Sequence, residues 1–180
     1  KIKIGSQFEN IFFKKLFDRL QEGMVIYDIG GSVGMYTIPF AKKIGKTGKV
    51  FVFEPTSKGV ESIKQNLIIN NIDNVVVYPY AISDSTSEIN FYIRPDKETH
   101  SLFEKTVAPS KTGEQKTIKV KTFSIDDLIE KNLSLVPNFI KIDTEGAEIK
   151  VLDGIKKIYD NLHLILVEIH KPALKLENIL

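Results

Sequence analysis

Cysteine and tryptophan are absent from this sequence of 180 residues, and only Arg19 and Arg94 among its 25 basic residues are arginine. Without cysteine, the chain can form no disulfide framework, no thiolate zinc site and no cysteine nucleophile. Bidentate contacts to phosphates and base edges favour arginine. Because the net charge is also only +2, the composition argues against nucleic acid as a partner.

Long hydrophobic runs are absent as well. The longest apolar segment, residues 162–169, is interrupted by His163 and Glu168. It is far shorter than the ~20 residues that a membrane-spanning helix needs. No signal peptide is visible, so we predict a cytoplasmic protein without a membrane span. The 42% of hydrophobic and 27% of charged residues are ordinary for one folded domain, which we expect to span residues 1–180.

Short apolar runs alternate with segments of helical periodicity. The apolar runs that predict buried strands are 24–29, 49–53, 75–78, 139–142 and 162–169. The helices predicted from apolar spacing are 6–22, 34–44, a segment capped by Ser57, one starting at Ser124, and 148–159 with a break at Asp153 and Gly154. This alternation predicts an α/β fold with a doubly wound, mostly parallel sheet.

The alternation changes in the middle of the chain. Apolar residues at every second position in 89–93 and 118–120 predict half-exposed strands, which form a small antiparallel insertion. Between them lies a polar segment, 94–117, that is long for a loop in a compact domain. Such a segment is typically either functional or disordered.

The most informative stretch is the turn from the first strand to the next helix, Asp28-Ile29-Gly30-Gly31-Ser32-Val33-Gly34. Glycines there let the backbone approach a ligand closely. The nicotinamide fingerprint G-x-G-x-x-G fails because Ser32 stands at its middle glycine, which disfavours an oxidoreductase. Asp28 at the strand end suits a ligand that carries cationic ammonium and sulfonium groups. Glu54 ends the second strand, where a carboxylate can accept both hydroxyls of a ribose.

These acids and glycines form the pattern of Rossmann-like S-adenosylmethionine methyltransferases. The alternative interpretation is a structural glycine turn followed by a solvated glutamate. The chain also resembles one family more narrowly, the FkbM methyltransferases. The stretches that carry this resemblance are residues 25–34, Val52-Phe53-Glu54-Pro55, Tyr80-Ala81-Ile82-Ser83-Asp84, residues 122–128, and Lys141-Ile142-Asp143-Thr144-Glu145-Gly146-Ala147-Glu148 with residues 151–154.

The resemblance covers residues 25–170 and implies an O-methyltransferase that uses S-adenosylmethionine. Its acceptor would be a hydroxyl of a sugar, a glycan or a small metabolite. A domain that binds S-adenosylmethionine without catalysis is the alternative. The cofactor-binding residues that we predict are Asp28, Gly30, Gly31, Ser32, Gly34, Glu54, Asp143 and, beside the adenine, Ala81, Ile82 and Ser83.

Candidate catalytic residues lie at the ends of the last two predicted strands. Asp143, Glu145 and Glu148 follow one strand, and His170 follows the other. Either His170 or a carboxylate acts as a general base, or Asp143 and its neighbours hold a divalent cation. We favour the metal-free mechanism because only one of the two glutamates can easily share a face with Asp143. Acids at a helix N-terminus can also be there merely to complement its charge.

Three further expectations concern the surroundings of this site. Lys141 is expected to point away from Asp143 by strand alternation. The segment 94–117 is expected to be a mobile cover over the acceptor, with His100 and Ser101 nearest the transferred methyl. The family's sheet has seven strands, and only 11 residues follow Ile169. We therefore expect a chain truncated at its C-terminus, with an exposed sheet edge through which oligomers could form.

Overall fold

A five-stranded parallel sheet forms the centre of the protein, in a computed structural model that describes residues 14–93, 100–101 and 116–169. The strands are β1 (Val25–Ile29), β2 (Lys49–Phe53), β3 (Val75–Tyr78), β8 (Phe139–Ile142) and β9 (Leu164–Val167). Their order in the sheet is β3-β2-β1-β8-β9, and all four neighbouring pairs are parallel. The chain moves outward from β1 to β3 and then returns to the other side of β1. The switch point therefore lies between β1 and β8.

Helices cover both faces of this sheet, as expected of a doubly wound Rossmann-like fold. The helices are α1 (Thr37–Ile44), α2 (Ser57–Ile69), α3 (Ile125–Glu130) and α4 (Glu148–Asp153), with a 3₁₀ helix at Lys156–Asn161. On one face α1 and α2 pack through Phe40 and Ile63. On the other face α3 and α4 pack through Leu128 and Val151. The predicted fold class is confirmed, since alternating elements of this kind can bury both sheet faces only by winding to both sides.

A second, four-stranded sheet is the predicted insertion. Its strands are β4 (Ala81–Ile82), β5 (Ser87–Ile93), β6 (His100–Ser101) and β7 (Lys116–Phe123), in the order β4-β7-β5-β6. The antiparallel pairing of β5 with β7 is as predicted. The short strand β4 was not predicted, and it pairs with β7 in parallel. Two residues are too few to show a periodicity, so no local pattern marks them as a strand.

Element boundaries differ from the predictions where side chains, not periodicity, decide them. The helix predicted from residue 34 begins at Thr37, which leaves Pro39 in its first turn, where the missing amide is harmless. The cap of α2 is Thr56, not Ser57, because the Thr56 hydroxyl accepts a hydrogen bond from the Gly59 amide at 3.1 Å. The break predicted near Gly154 is present, and Ser124 caps α3.

Parts of three predictions fall on residues that are not described. Of the helix predicted over 6–22, residues 14–17 are helical, and Leu16 and Leu20 pack against α1. Of the segment 94–117 predicted as a cover, the structure describes His100 and Ser101, which pair with β5, and residues 116–117, which begin β7. The residues after Ile169 also lie outside the described ranges. Within residues 14–93, 100–101 and 116–169, no helix combines the length and apolarity needed to cross a membrane.

Candidate functional site

The turns after β1 and β8 meet at the carboxyl edge of the sheet, at the switch point where open α/β sheets bind ligands. The amide of Asp143 donates to the carbonyl of Ile29 at 3.0 Å. A Cβ added at Gly30 would overlap the carbonyl oxygen of Asp143. The two turns are therefore packed backbone against backbone, and Gly30 is the residue that permits this.

The glycines of the first turn are required by the turn's backbone conformation and by packing against its neighbours. Gly30 and Gly34 have φ angles of +82° and +85°, in the left-handed region that favours glycine. A Cβ at Gly31 would overlap the side chain of Val52 on β2. Ser32 adopts φ +50° and lies exposed at the tip of the turn. The turn thus exposes Ser32 and Val33, whereas Gly31 and Gly34 are buried.

Glu54 lies directly beside this turn, and its carboxylate links three elements. The Ser32 amide donates to Oε2 at 3.0 Å. The amide and the hydroxyl of Thr56, at the start of α2, both donate to Oε1, at 2.9 and 2.5 Å. Gly59 leaves the necessary room, since its Cβ would lie 2.6 Å from Cγ of Glu54. Each carboxylate oxygen can accept two hydrogen bonds, so Oε2 has capacity for one more donor, such as a ribose hydroxyl.

Burial raises the pKa of Glu54 above its usual value of 4.5, although the hydrogen bonds from Thr56 and Ser32 oppose this. Only 6% of the residue is exposed. For an acid with a raised pKa in the folded state, ionisation opposes folding. The stabilising contribution of Glu54 is therefore complete below its unfolded pKa and is lost as the pH rises through the folded pKa.

A buried lysine joins the two aspartates that the sequence placed at this edge. Asp28 and Lys141 are register partners on β1 and β8. The Lys141 Nζ lies 3.4 Å from Oδ1 of Asp28 and 3.2 Å from Oδ2 of Asp143. It also donates to the carbonyl of Gly30 at 3.3 Å. The other oxygen of Asp28 accepts a hydrogen bond from the Thr37 hydroxyl at 2.5 Å. One ammonium thus connects β1, the glycine turn and the turn after β8.

The expectation that Lys141 points away from Asp143 is wrong. Side chains alternate with a period of two along a strand, so residues 141 and 143 lie on the same face. Burial alone would lower the pKa of Lys141, but the carboxylates of Asp28 and Asp143 outweigh it and raise the pKa above 10.5. The side chain therefore carries its positive charge, with the ring centroid of Tyr36 4.9 Å from Nζ.

The candidate catalytic acids have different surroundings. Asp143 is 25% exposed and Glu145 is half-buried, with φ +54°. Glu148 is fully buried, and its Oε1 accepts hydrogen bonds from the amides of Thr144 and Gly146, at 3.3 and 2.9 Å. Glu148 thus folds back to hold the turn that contains Asp143. Asp143 is therefore more accessible than Glu148.

The residues predicted beside the adenine are largely buried. Ile82 packs in the cluster that contains Ile29 and Phe53, the last residues of β1 and β2, so it lies near the same sheet edge. The Ser83 amide donates to the carbonyl of Phe123 at 2.9 Å. Ala81 is 7% exposed. Their contact with an adenine remains a prediction.

His170 lies outside the described residues. Within the described ranges, no group of three or more histidine and acidic side chains is arranged to hold a metal ion. At Asp28 and Asp143, the ammonium of Lys141 lies where a cation shared by both carboxylates would have to lie.

Tyr36, Thr37 and Lys141 were not predicted as site residues. Lys141 could have been found, because a charged side chain in an otherwise apolar buried strand needs a partner of opposite charge. Thr37 and Tyr36 carry no such signal. They reach the site only because α1 packs against β1. The charged groups that act on the Tyr36 hydroxyl are Lys141, Glu168, Asp143 and Asp28, and its pKa is raised chiefly by burial.

Comparison with known proteins agrees with this geometry. A family model described as the methyltransferase FkbM domain matches residues 28–178, which include both turns of the site. The chain belongs to the FkbM methyltransferase family. The FkbM family uses S-adenosylmethionine as its methyl donor.

Two relatives of known sequence are the hexuronic acid methyltransferase AglP of Haloferax volcanii and Methyltransferase 1 of Beauveria bassiana. The first is 27% identical over 164 residues, which are 90% of this chain and 62% of that protein. The second is 25% identical over 192 residues, with 94% of this chain and 74% of that protein covered. The chain therefore spans less than two thirds of the Haloferax protein.

Solved structures show the same fold. An FkbM methyltransferase from Methylobacillus flagellatus KT superposes with a TM-score of 0.55 at 18% identity, covering 82% of this chain and 33% of that one. A protein described as a putative rRNA methylase from Clostridium thermocellum superposes with a TM-score of 0.58 at 13% identity, covering 99% and 78%.

The residues at the switch point fit the family's cofactor. Asp28, Lys141 and Asp143 together carry one net negative charge, which complements a cationic ligand, and the accessible member is Asp143. Glu54 has an oxygen able to accept one more hydrogen bond beside the exposed tip of the glycine turn. A cationic group and a hydroxyl are both present in S-adenosylmethionine.

Proposed function

We propose that this chain is the catalytic domain of an S-adenosylmethionine-dependent O-methyltransferase that acts on a hydroxyl of a sugar, a glycan or a small metabolite. The observation that carries the proposal is the packing of the glycine turn against Asp143, with Glu54 beside it, at the switch point of an FkbM fold. A relative named a hexuronic acid methyltransferase supports a sugar as the acceptor.

The cofactor supplies an electrophilic methyl group when bound, and the protein must orient the acceptor and remove its proton. Glu54 would accept a ribose hydroxyl through Oε2, and Asp143 would bind the ammonium of the methionine end. An alcohol becomes a good nucleophile only when its proton is taken by a nearby base. Of the acids predicted for this task, Asp143 and Glu145 are accessible, and His170 remains a candidate. Glu148 would act by holding their turn.

Replacing Glu54 with alanine tests the cofactor site. The affinity for S-adenosylhomocysteine, measured by calorimetry, is expected to fall at least about tenfold, because a charge-assisted hydrogen bond is lost. Glu61→Ala is the matched control, since Glu61 is an exposed acid on the neighbouring helix α2. Equal affinities for the two variants would remove Glu54 from the site.

The raised pKa of Glu54 predicts how binding depends on pH. Affinity for S-adenosylhomocysteine is expected to decline on acidification at a pH above the usual glutamate value of 4.5, because burial favours the protonated form. Glu54→Gln cannot titrate, so its affinity should be lower at neutral pH and should vary less with pH. Parallel pH profiles for the wild type and the variant would show that Glu54 does not contact the ligand.

The acceptor is tested by incubating the chain with S-adenosylmethionine and hydroxylated compounds, including uronic acids, neutral sugars and glycans. Release of S-adenosylhomocysteine with a sugar, together with a methyl ether in the product, would support the proposal. Tight cofactor binding without turnover on any of these compounds would instead favour a binding domain without catalysis.

A further inference from the structure

We propose that Lys141 is a positioning residue for cofactor binding, and that Asp28 acts through Lys141 rather than by touching the cofactor. In this arrangement the carboxylate that meets the cationic methionine end is Asp143. The inference rests on the proposed function, and it assigns different tasks to two aspartates that the sequence pattern treats alike.

Burial separates the two aspartates. Asp28 is 0% exposed, whereas the side chain of Asp143 is 25% exposed. One oxygen of Asp28 is held by the Thr37 hydroxyl and the other faces the Lys141 ammonium. Because no part of Asp28 is exposed, a ligand could reach it only if the groups around it moved. The side chain of Asp143 already has exposed surface.

Lys141 connects the buried Asp28 to the accessible Asp143. Its Nζ is fixed on the inner side by Asp28, and on the outer side it contacts the carboxylate of Asp143 and the carbonyl of Gly30. Because α1 holds Asp28 through Thr37, the position of the ammonium is set by the core of the domain. The Tyr36 ring covers the ammonium from a further side.

The charges of Asp28, Lys141 and Asp143 indicate a role in ligand binding as well as in stability. Two carboxylates and one ammonium leave one negative charge, and the accessible carboxylate can present it to the cofactor. Without the ammonium, the rotamer of Asp143 and the carbonyl of Gly30 would lose the group that fixes them together. Affinity would then fall because the site must be ordered when the ligand binds.

The absence of cysteine allows a test at the level of single atoms. In a Lys141→Cys variant, the only thiol is at position 141. Alkylation with 2-bromoethylamine in denaturant, followed by refolding, rebuilds an ammonium side chain of the same length with sulfur in place of one methylene. Wild-type protein carried through the same steps is the control. Circular dichroism reports folding, and calorimetry reports the affinity for S-adenosylhomocysteine.

The expected result is that Lys141→Cys binds at least about tenfold more weakly than the wild type, and that alkylation restores most of the affinity. Wild-type affinity in the unalkylated variant would overturn the proposal. So would a refolded, alkylated protein that still binds weakly. A wild-type chain that binds no S-adenosylhomocysteine would contradict the proposed function itself, which is a separate failure.

A second pair of variants keeps the test decisive if Lys141→Cys does not fold. Asp28→Asn combined with Lys141→Met removes both buried charges, so no uncompensated charge is left in the core. This double variant is expected to bind at least about tenfold more weakly than Asp28→Asn alone, which retains the ammonium beside Asp143. Equal affinities for the two would show that the Lys141 ammonium does not contribute to binding and would refute the assignment.

Discussion

Replacing Gly30 with alanine is expected to lower the free energy of unfolding by about 2–5 kcal/mol and to abolish measurable binding of S-adenosylhomocysteine. Two effects add. A side chain at φ +82° costs about 1–2 kcal/mol, and overpacking against the carbonyl of Asp143 costs about 1–3 kcal/mol more. Because backbone must shift to relieve the overlap, the two turns of the site would separate. Chemical denaturation and calorimetry measure the two consequences.

Gly23→Ala is the matched control for that prediction. Gly23 has nearly the same φ, +84°, but a Cβ there would lie 3.7 Å from its nearest neighbour, Thr47. It precedes β1, at the amino ends of the strands, whereas the site lies at their carboxyl ends. We expect a loss of only about 1–2 kcal/mol from the backbone alone, with ligand affinity unchanged. Equal destabilisation by both variants would show that the contact with Asp143 is not what requires glycine.

Replacing Lys141 with methionine is expected to lower the free energy of unfolding by about 3–5 kcal/mol, because it leaves the carboxylate of Asp28 buried without its counter-ion. In the Asp28→Asn, Lys141→Met double variant, part of this loss should be recovered. The double-mutant cycle then gives the coupling between the two groups. Additive losses would show that the two charges do not stabilise each other.

Lys119→Met supplies the comparison for Lys141. Lys119 is also a strand lysine, and it is paired with Glu88 at 3.3 Å. Its side chain is 73% exposed and that of Glu88 is 54% exposed. Since exposed pairs contribute about 0–1 kcal/mol, this variant should be nearly as stable as the wild type. A large loss at position 119 would mean that burial is not the cause of the effect at position 141.

Local sequence patterns predicted much of the scaffold. The bounds of β2, β3 and β8 agree with the apolar runs, because the strands of a parallel sheet covered on both faces are mostly apolar. Ser124 capped its helix as predicted, whereas Thr56 took the position predicted for Ser57. Adjacent hydroxyl residues compete for the same cap, and the carboxylate of Glu54 decided between them by binding Thr56.

The sequence by itself determined the doubly wound fold, the glycine turn and the presence of acids at the carboxyl edge of the sheet. These features arise from periodicity and residue type within short segments. Tertiary structure alone decided that Asp28 is closed off by Thr37 and Lys141, that Gly30 packs on Asp143, and that Glu54 binds the tip of the turn. The partners Asp28 and Lys141 are far apart in the chain. They meet because β8 pairs with β1 in one particular register. Such pairing depends on the packing of the whole sheet, which no local pattern contains.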